Sequence, residues 1–408
     1  MIFFVAIHNH LIIVVIVTSC IFILVDTAMT RTLENVTNYT SEDLSELEIK
    51  RLNYPRWGHT IFAVLLLFVE LFGFTEICFI LFTFFKTKHL RSATNIFVIA
   101  LCVADLCMLI LGCPFSVISA FNGQWAFSKA VCVLSGFIVY FLGLTQLYLL
   151  VAISVDRYIV ITKPLQSALI TKRVAVLSCI GCYVGGFFWA VLPLAGWSQY
   201  GLEAPGVFCG LDIENTQFSY SLTIFFTCFL FPFIIMCFCY YRIYSTIRNI
   251  NKTTVWDITS RVARKNLRLE KKMMRTCILM CCSFWICWFP YALVFFWQVL
   301  FGVDSLPLVL TEIPALAAKS QGVLNPLIYG ATNKMFRQSF YNSLPCKRLR
   351  EILMKREEEK THNSEESGTE DGPEREVTTL KNTNNAVNPN AVGPAESADS
   401  KAPTNSEC

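Results

Sequence analysis

Long apolar runs separated by short polar interruptions dominate the hydrophobic pattern of this sequence. A helix needs roughly 20 apolar residues to cross the hydrocarbon core of a bilayer. Seven runs reach that length, and we predict spanning helices at 60–85, 95–121, 131–155, 174–194, 218–241, 273–299 and 308–329. The sequence lacks the period-2 alternation of a membrane barrel, and backbone polar groups in lipid must pair within their own segment. The pattern therefore predicts an all-α membrane protein built as a seven-helix bundle.

Composition and charge agree with a bilayer as the solvent. Of the 408 residues, 54% are hydrophobic and only 16% are charged, too few to cover the surface of a soluble domain. Basic residues collect after the first, third and fifth predicted spans, whereas the loop between the fourth and fifth carries Glu203, Asp212 and Glu214. Because Lys and Arg in short loops stay in the cytoplasm, we expect an extracellular N-terminus and a cytoplasmic C-terminus.

The N-terminal end lies outside the predicted bundle. Residues 1–28 form an apolar segment for which a removable signal peptide and a retained anchor both fit. In the predicted extracellular segment 29–59, Asn35 and Asn38 each begin a pattern for N-glycosylation, which requires entry into the secretory lumen.

The C-terminal end is predicted to lie in the cytoplasm. We place the bundle domain at 60–344 and end it with a short amphipathic eighth helix from residue 333. Cys346, just beyond, lies where palmitoylation of a membrane-lying helix is expected. The polar segment 345–408 is predicted to be a disordered tail, whose Ser and Thr residues are either phosphorylation sites for a regulatory partner or only solubilising.

Most of the 18 cysteines fall inside predicted spans, where a thiol behaves as a small apolar group. Cys132 and Cys209 differ, because they lie at the outer end of the third span and in the long outer loop, where disulfides persist. A bond between them would hold that loop over the mouth of the bundle.

Lys319 is the candidate reactive residue. It lies about ten residues, or ~15 Å, from the cytoplasmic end of its span, too deep to reach the interface easily. A buried ammonium costs ~3 kcal/mol or more unless something compensates, so such residues are functional by default. Pairing with a buried acid is one interpretation, and condensation of a free amine with an aldehyde is the other.

A protonated Schiff base on Lys319 would need an acid beside it. Glu203 would be brought over the pocket by the predicted disulfide, and Glu312 lies seven residues before Lys319 on nearly the same helix face. Both acids could instead face water at the rim. Glu70 and Glu76 in the first span are weaker candidates.

Aromatic residues of the sixth span supply a candidate wall for the pocket. Trp288 and Tyr291 are three apart on one helix face, Phe284 lies one turn below, and Pro290 can kink the helix. Packing alone explains most such aromatics in membrane helices. Around a polyene they would be steric partners, and Ala292 is included with them as a candidate contact.

Several motifs in order resemble those of class A receptors. They are Asp105 within LCVADL, Asp156-Arg157-Tyr158 at the end of the third span, CWFPY at 287–291 and NPLIY at 325–329. Within that class, the segment AAKS at 317–320 and GWS at 196–198 resemble opsins.

The resemblance implies retinal on Lys319, 11-cis in the dark and all-trans after light. It implies that Arg157 pairs with Asp156, next to Tyr158, and with Glu270 at the start of the sixth helix. It also implies a polar hinge near Asp105, formed by Asn325, Pro326 and Tyr329. Release of Arg157 would open a cleft for a G protein.

The same resemblance implies partners and a location. Asn333-Lys-Met335 resembles the G-protein-contacting tripeptide of ciliary-type opsins, which favours an inhibitory-type heterotrimeric G protein. A receptor kinase and arrestin are expected on the phosphorylated tail, in the plasma membrane of a photoreceptor. No nucleic-acid partner and no enzymatic activity are expected.

Departures from the family pattern refine the prediction. Ser135 stands where vertebrate visual opsins carry their counterion glutamate, whereas Glu203 matches the outer-loop counterion of other opsins. We therefore expect Glu203 as the counterion, and an invertebrate-style, bistable pigment of xenopsin-like or ciliary-like type. Ile77 and Tyr183 replace the family's first-helix asparagine and fourth-helix tryptophan.

Two other functions fit parts of the same sequence. A retinal photoisomerase of the peropsin kind would use the same Lys319 and Glu203, although the intact DRY and NPLIY motifs favour signalling. A receptor for a diffusible ligand would leave Lys319 unexplained. The sequence offers neither a phosphate-binding glycine loop nor clustered metal ligands, which argues against soluble-enzyme classes.

Overall fold

Helices cover all seven predicted spans, so the predicted seven-helix bundle is confirmed. This computed structural model describes residues 46–167, 169–253, 261–343, 348 and 350–356. Its helices in chain order are α1 (Glu46–Asn53), α2 (Arg56–Lys86), α3 (Ala93–Leu111), α4 (Cys113–Asn122), α5 (Lys129–Thr162), α6 (Pro164–Ser167), α7 (Lys172–Val191), α8 (Phe218–Ile224), α9 (Phe231–Thr253), α10 (Arg261–Phe301), α11 (Leu308–Thr332) and α12 (Lys334–Ser343).

Several predictions lie outside the described residues and stay predictions. They concern the apolar segment 1–28, the glycosylation patterns at Asn35 and Asn38, the palmitoylation of Cys346, and almost all of the tail. The helices and strands up to Met354 belong to one compact unit.

Six of the described segments are long and apolar enough to cross a membrane. They are Arg56–Lys86, Ala93–Asn122, Lys129–Thr162, Lys172–Val191, Phe218–Asn249 and Glu270–Phe301. The seventh, α11, falls short by composition because it carries Glu312, Lys319 and the two amides Gln321 and Asn325. Among the seven spans, the one that falls short is therefore the one that carries the candidate reactive lysine.

Two of the helical boundaries differ from prediction in ways that matter for the site. The segment 29–59, for which the sequence predicted only an extracellular location, contains α1 and the first turn of α2. Helix α10 begins at Arg261 rather than near 273, so Glu270 lies in its third turn and not at its start. Helices extend past the apolar runs because polar turns outside the hydrocarbon core are solvated without cost to the backbone ladder.

Prolines divide two of the spans. Pro114 has no N–H to donate, and the second span breaks at Gly112 into α3 and α4. In the fifth span, a π-helical stretch at Phe225–Leu230 separates α8 from α9 just before Pro232. The wider turn carries Cys228 and Phe229 to the wall of an internal cavity.

A two-stranded antiparallel hairpin lies between α7 and α8. Its strands, β1 (Tyr200–Leu202) and β2 (Cys209–Leu211), pair Tyr200 with Leu211 and Leu202 with Cys209. The predicted disulfide is confirmed, since Cys132 at the start of α5 is bonded to Cys209 in β2. We call the end of the bundle that carries this structure the hairpin end, and the end that carries Arg157 the far end.

Helix α12 follows the seventh span at the far end. Asn333 caps it through a hydrogen bond of 3.0 Å from the backbone N–H of Phe336 to its side-chain oxygen. Phe336 is buried and packs against Phe84 of α2 and Tyr329 of α11. The short helix is therefore attached to the bundle by its aromatic face.

Candidate functional site

An apolar cavity of about 140 Å³ lies inside the hairpin end of the bundle. Its wall comes from α5, the hairpin, the π-helical turn, α10 and α11. Of the predicted pocket residues, those that line it are Phe284, Trp288, Tyr291, Ala292, Glu203 and Lys319. One amine and one carboxyl thus face a space that is otherwise mostly hydrocarbon and aromatic.

Lys319 projects from the middle of α11 and is only 6% exposed. No hydrogen bond or ion pair is made to it within the described part of the chain. Its Nζ lies 5.0 Å from the ring centroid of Phe208, a residue of the hairpin turn. A cation–π contact compensates a buried ammonium only partly, so this amine is free of the partners that would block its chemistry.

Glu203 lies in the hairpin turn and faces the cavity. The Tyr291 hydroxyl donates a hydrogen bond of 2.9 Å to its Oε1. Burial raises the pKa of the Glu203 carboxyl to about 7, against the opposing effects of nearby Lys319 and of the Tyr291 hydrogen bond. The carboxyl therefore changes charge near neutral pH in the absence of any ligand.

The hairpin turn that carries Glu203 is fixed from outside by α1. Arg51 donates to the carbonyl of Ala204 from Nε (2.9 Å) and to that of Glu203 from Nη2 (3.1 Å). On its inner side, a Cβ on Gly210 would collide with the Glu203 carboxylate. A side chain at position 210 would therefore displace the Glu203 carboxylate from its place beside β2.

Glu312 does not reach the amine, and the alternative that it faces water is also wrong. It is buried, its Oε2 accepts a hydrogen bond of 2.8 Å from the Tyr54 hydroxyl, and its Oε1 lies 2.5 Å from Nδ1 of His59. The Tyr54 hydroxyl remains a donor, because burial, and then the bond to Glu312, raise its pKa. Glu312 thus joins α11 to the chain before and within α2.

Glu70, set aside in the sequence analysis, lies near the amine instead. It is buried in α2 and interacts electrostatically with Lys319. Glu76, two turns further along, has no such interaction with the lysine.

Ser135 does not line the cavity. Its hydroxyl donates a hydrogen bond of 3.3 Å to the carbonyl of Gly112, at the break between α3 and α4. The next residue, Gly136, lines the cavity in its place and packs against Gly210 of β2. Ser135 therefore helps to close the second span and offers no charge to the cavity.

The aromatic residues of α10 form a continuous stack beside the cavity. Phe284 stacks on Trp288 at 5.7 Å between ring centroids, and Trp288 meets Tyr291 edge to face at 6.0 Å. Trp288 lies directly over Gly143 of α5, where an added Cβ would come within 2.9 Å of the indole. Any movement of Trp288 therefore changes its contact with α5.

A second charged cluster lies at the far end around Arg157. Its Nη2 lies 2.7 Å from Oδ2 of Asp156, and its Nη1 lies 2.8 Å from Oε2 of Glu270 on α10. Thr94 of α3 contacts Arg157 and also donates a hydrogen bond of 2.9 Å to Asp156. The cluster joins α3, α5 and α10, and Tyr158 lies outside it, against Phe238 of α9.

A polar chain along α11 lies between the two ends. Asn325 donates a hydrogen bond of 3.2 Å to Asp105 of α3, and Tyr329 donates one of 3.1 Å to Asn95. Pro326 lies between them, inside the helix. The three positions thus connect α11 to α3 around a helix-weakening proline.

Comparison with known proteins identifies the family. Residues 76–329 match the family described as 7 transmembrane receptor (rhodopsin family). A rhodopsin of Psalidodon fasciatus is 30% identical over 297 residues, which are 72% of this chain and 83% of that protein. The chain belongs to the opsins, within the rhodopsin family of seven-transmembrane receptors. It is accordingly a multi-pass membrane protein of a receptor family.

Other opsins match the same share of this chain. The human visual pigment-like receptor peropsin is 29% identical over 296 residues, covering 72% of this chain and 87% of that one. A Branchiostoma belcheri melanopsin is 31% identical over 306 residues, but the match spans only 43% of that longer protein. The crystal structure of squid rhodopsin has a TM-score of 0.67 and 27% identity, covering 72% of this opsin and 87% of that chain.

The sequence analysis missed the contribution of α5 to the cavity. Gly136, Tyr140 and Gly143 line it, and they follow Cys132 at four, eight and eleven residues. This spacing keeps all of them on one helix face. The predicted disulfide at Cys132 was the available signal, because it orients that face towards the hairpin.

Proposed function

We propose that this opsin is a light-sensing G-protein-coupled receptor that holds retinal covalently on Lys319. The observation that carries the proposal is the unpaired, buried amine of Lys319 in the wall of an apolar cavity that also holds one carboxyl, Glu203. The similarity to opsins, which extends over most of the chain, also supports the proposal.

The lining of the cavity fits a polyene aldehyde. Rings from α10 and the π-helical turn, together with the glycines of α5, offer flat apolar surface, and Lys319 is the one amine among the residues that line the cavity. When bound, retinal would supply an aldehyde that condenses with the Lys319 amine with loss of water, and a light-driven isomerisation from 11-cis to all-trans. Lys319 contributes the nitrogen, and the apolar wall excludes bulk water from that bond.

Glu203 serves as the counterion in this proposal. It approaches the Lys319 nitrogen from the hairpin, and Tyr291 orients its carboxylate from α10. A positive charge on the Lys319 nitrogen favours the ionised form of Glu203, and the ionised carboxylate in turn keeps the nitrogen protonated. Ser135, at the position of the vertebrate counterion, has no charge to offer.

Signal transfer runs along α10 and α11 to the far end. Trp288 packs on Gly143 and borders the cavity, so displacement of the indole moves α10 against α5. Arg157 holds the same two helices together through Glu270, while Asn325 and Pro326 provide the hinge in α11. Separation of Arg157 from Glu270 opens the cytoplasmic cleft in which a heterotrimeric G protein binds.

The receptor lies in the plasma membrane of a photoreceptor, with the hairpin end outside and the far end in the cytoplasm. Basic loops at the far end support this orientation. An inhibitory-type G protein, a receptor kinase and arrestin are the proposed partners. A peropsin-like photoisomerase is the second candidate, since human peropsin is as similar as the rhodopsins are.

The test is an absorbance spectrum of the purified protein after incubation with 11-cis-retinal in the dark, for wild type, Lys319→Ala and Glu203→Gln. We expect a visible band that is absent in Lys319→Ala and shifted to the near ultraviolet at neutral pH in Glu203→Gln. A Lys319-dependent near-ultraviolet band in wild type would overturn the counterion assignment. The absence of any bound retinal would overturn the opsin function and favour a receptor for a diffusible ligand.

Light-dependent nucleotide exchange on an inhibitory-type G protein separates the two retinal-based functions. A signalling pigment increases exchange on illumination. An isomerase converts added all-trans-retinal to the 11-cis form in light with little exchange, which chromatography of extracted retinal detects.

A further inference from the structure

Glu70 is a buried carboxyl that the proposed function leaves without a role. It lies in the middle of α2 and is 8% exposed. Its Oε1 is fully buried and has no hydrogen-bond partner. An acid buried in a membrane helix is costly unless a cation or a network compensates it. The compensation has to come from a neighbouring helix, and the packing of α2 indicates which one.

The register of α2 against α11 brings Glu70 level with Lys319. One turn towards the hairpin end, Leu66 of α2 and Ala315 of α11 belong to the same buried cluster. One turn towards the far end, an added Cβ on Gly73 would lie 2.8 Å from Val323 of α11. Along α2, Leu66 lies four residues before Glu70 and Gly73 lies three residues after it. Along α11, Ala315 and Val323 lie four residues before and four residues after Lys319. Glu70 and Lys319 therefore occupy the turn between these two contacts.

The charges around Glu70 point to the same partner. Lys319 on α11 interacts electrostatically with Glu70, and the Cys113 thiol of α4 interacts with both. Glu203 reaches the same lysine from the hairpin, with Tyr291 behind it. Among the described residues, Lys319 is the one cation that acts on Glu70. The amine thus lies between two acids that belong to different elements.

We propose that Glu70 is a second acidic partner of the Lys319 nitrogen, and that it shares with Glu203 the stabilisation of positive charge there. This inference rests on the proposed function, because the charge in question is that of the retinal-bound nitrogen. Glu203 is carried by a hairpin turn, whereas Glu70 is carried by a spanning helix packed along α11. Glu70 therefore keeps the nitrogen protonated when light-driven movement changes its distance from the hairpin.

The test compares Glu70→Gln with Glu76→Gln in the dark pigment. Glu76 is the matched control, because it lies on the same helix and also has a buried, unpartnered carboxyl oxygen but does not interact with Lys319. We expect the pH midpoint of the visible-to-ultraviolet transition to fall by about one pH unit in Glu70→Gln, and to stay unchanged in Glu76→Gln. The double variant with Glu203→Gln should fall further than Glu203→Gln alone. Glu70→Met is the second variant, in case the amide is poorly tolerated.

A measurement without retinal separates this inference from the proposed function. Reductive methylation with formaldehyde labels the neutral amine, and mass spectrometry of the Lys319 peptide gives its rate at each pH. Loss of the Glu70 charge should shift the rate profile to lower pH by a similar amount, and Glu76→Gln should not. If both Glu70 variants match Glu76→Gln in the profile and in the pigment, the inference is wrong while the retinal function stands. If wild type binds no retinal, the proposed function fails, and with it this role of Glu70.

Discussion

Two buried cations lie at opposite ends of the bundle, and their surroundings differ in kind. Arg157 is 3% exposed and is held by Asp156, Glu270 and Thr94. Lys319 is 6% exposed and has neither a hydrogen bond nor an ion pair among the described residues. A fully paired charge stabilises one arrangement of helices, whereas an unpaired amine is available for covalent chemistry. In the proposed function, Arg157 is accordingly the latch at the far end and Lys319 is the attachment point for retinal.

The largest expected effect is on stability when each cation is removed. Arg157→Met leaves Asp156 buried without its partner and should lower the stability of the retinal-free receptor by about 3–5 kcal/mol. Lys319→Met breaks no hydrogen bond or ion pair, and the attraction to Glu70 and Glu203 that it loses is offset by removal of a buried ammonium, so it should change the stability much less than Arg157→Met does. Melting of the two variants and wild type in the same detergent measures this. Equal losses in both variants would remove the distinction between the two cations.

The pH dependence of stability tests the burial of Glu203, the acid that faces the cavity with Lys319. Burial raises the pKa of Glu203 from 4.5 to about 7, so the folded receptor retains a proton that the unfolded chain has lost between these values. Stability should therefore fall as pH rises from about 4.5 to about 7 and level off above, by roughly 1–3 kcal/mol. We expect this part of the slope to be absent from Glu203→Gln when melting is followed from pH 4.5 to 8.5. An identical slope in both proteins would mean that Glu203 is not buried as described.

Weakening the attachment of the hairpin turn should affect retinal binding at the hairpin end and leave the Arg157 cluster at the far end unchanged. Arg51→Ala removes two hydrogen bonds to the turn that carries Glu203, each worth about 1 kcal/mol, so the dark pigment should lose retinal up to roughly thirtyfold faster. The decay of the visible band at constant temperature gives the rate. Arg56→Ala is the control, because Arg56 is exposed at the start of α2. A faster decay in both variants would indicate a general effect of positive charge at the hairpin end.

The smallest expected effect is at the latch. Glu270 is 38% exposed at its side chain, and an exposed ion pair contributes at most about 1 kcal/mol. Glu270→Gln should therefore raise nucleotide exchange on the G protein in the dark by roughly two- to fivefold, since Asp156 and Thr94 still hold Arg157. Glu214→Gln, an exposed acid at the hairpin end, should leave dark exchange at the level of wild type. No increase in Glu270→Gln would mean that the pair does not restrain α10.

The sequence by itself determined the bundle, its motifs and the disulfide. Seven apolar runs of spanning length leave one solution in lipid, because each backbone must satisfy its own hydrogen bonds. The same pattern identified Lys319, because it is a charged residue within one of these apolar runs. Cys132 and Cys209 could be paired because they lie at the outer end of the third span and in the long outer loop, on the side of the membrane where disulfides persist.

Only the tertiary structure decided which acids approach Lys319. Glu312 shares a helix face with it in sequence, but its carboxylate is occupied by Tyr54 and His59, which the order of residues does not bring near. Glu70 lies 249 positions away along the chain, yet the packing of α2 on α11 places it level with the helical turn that carries Lys319. Side-chain partners across helices depend on the register and rotation of whole helices, which the period of one segment does not encode.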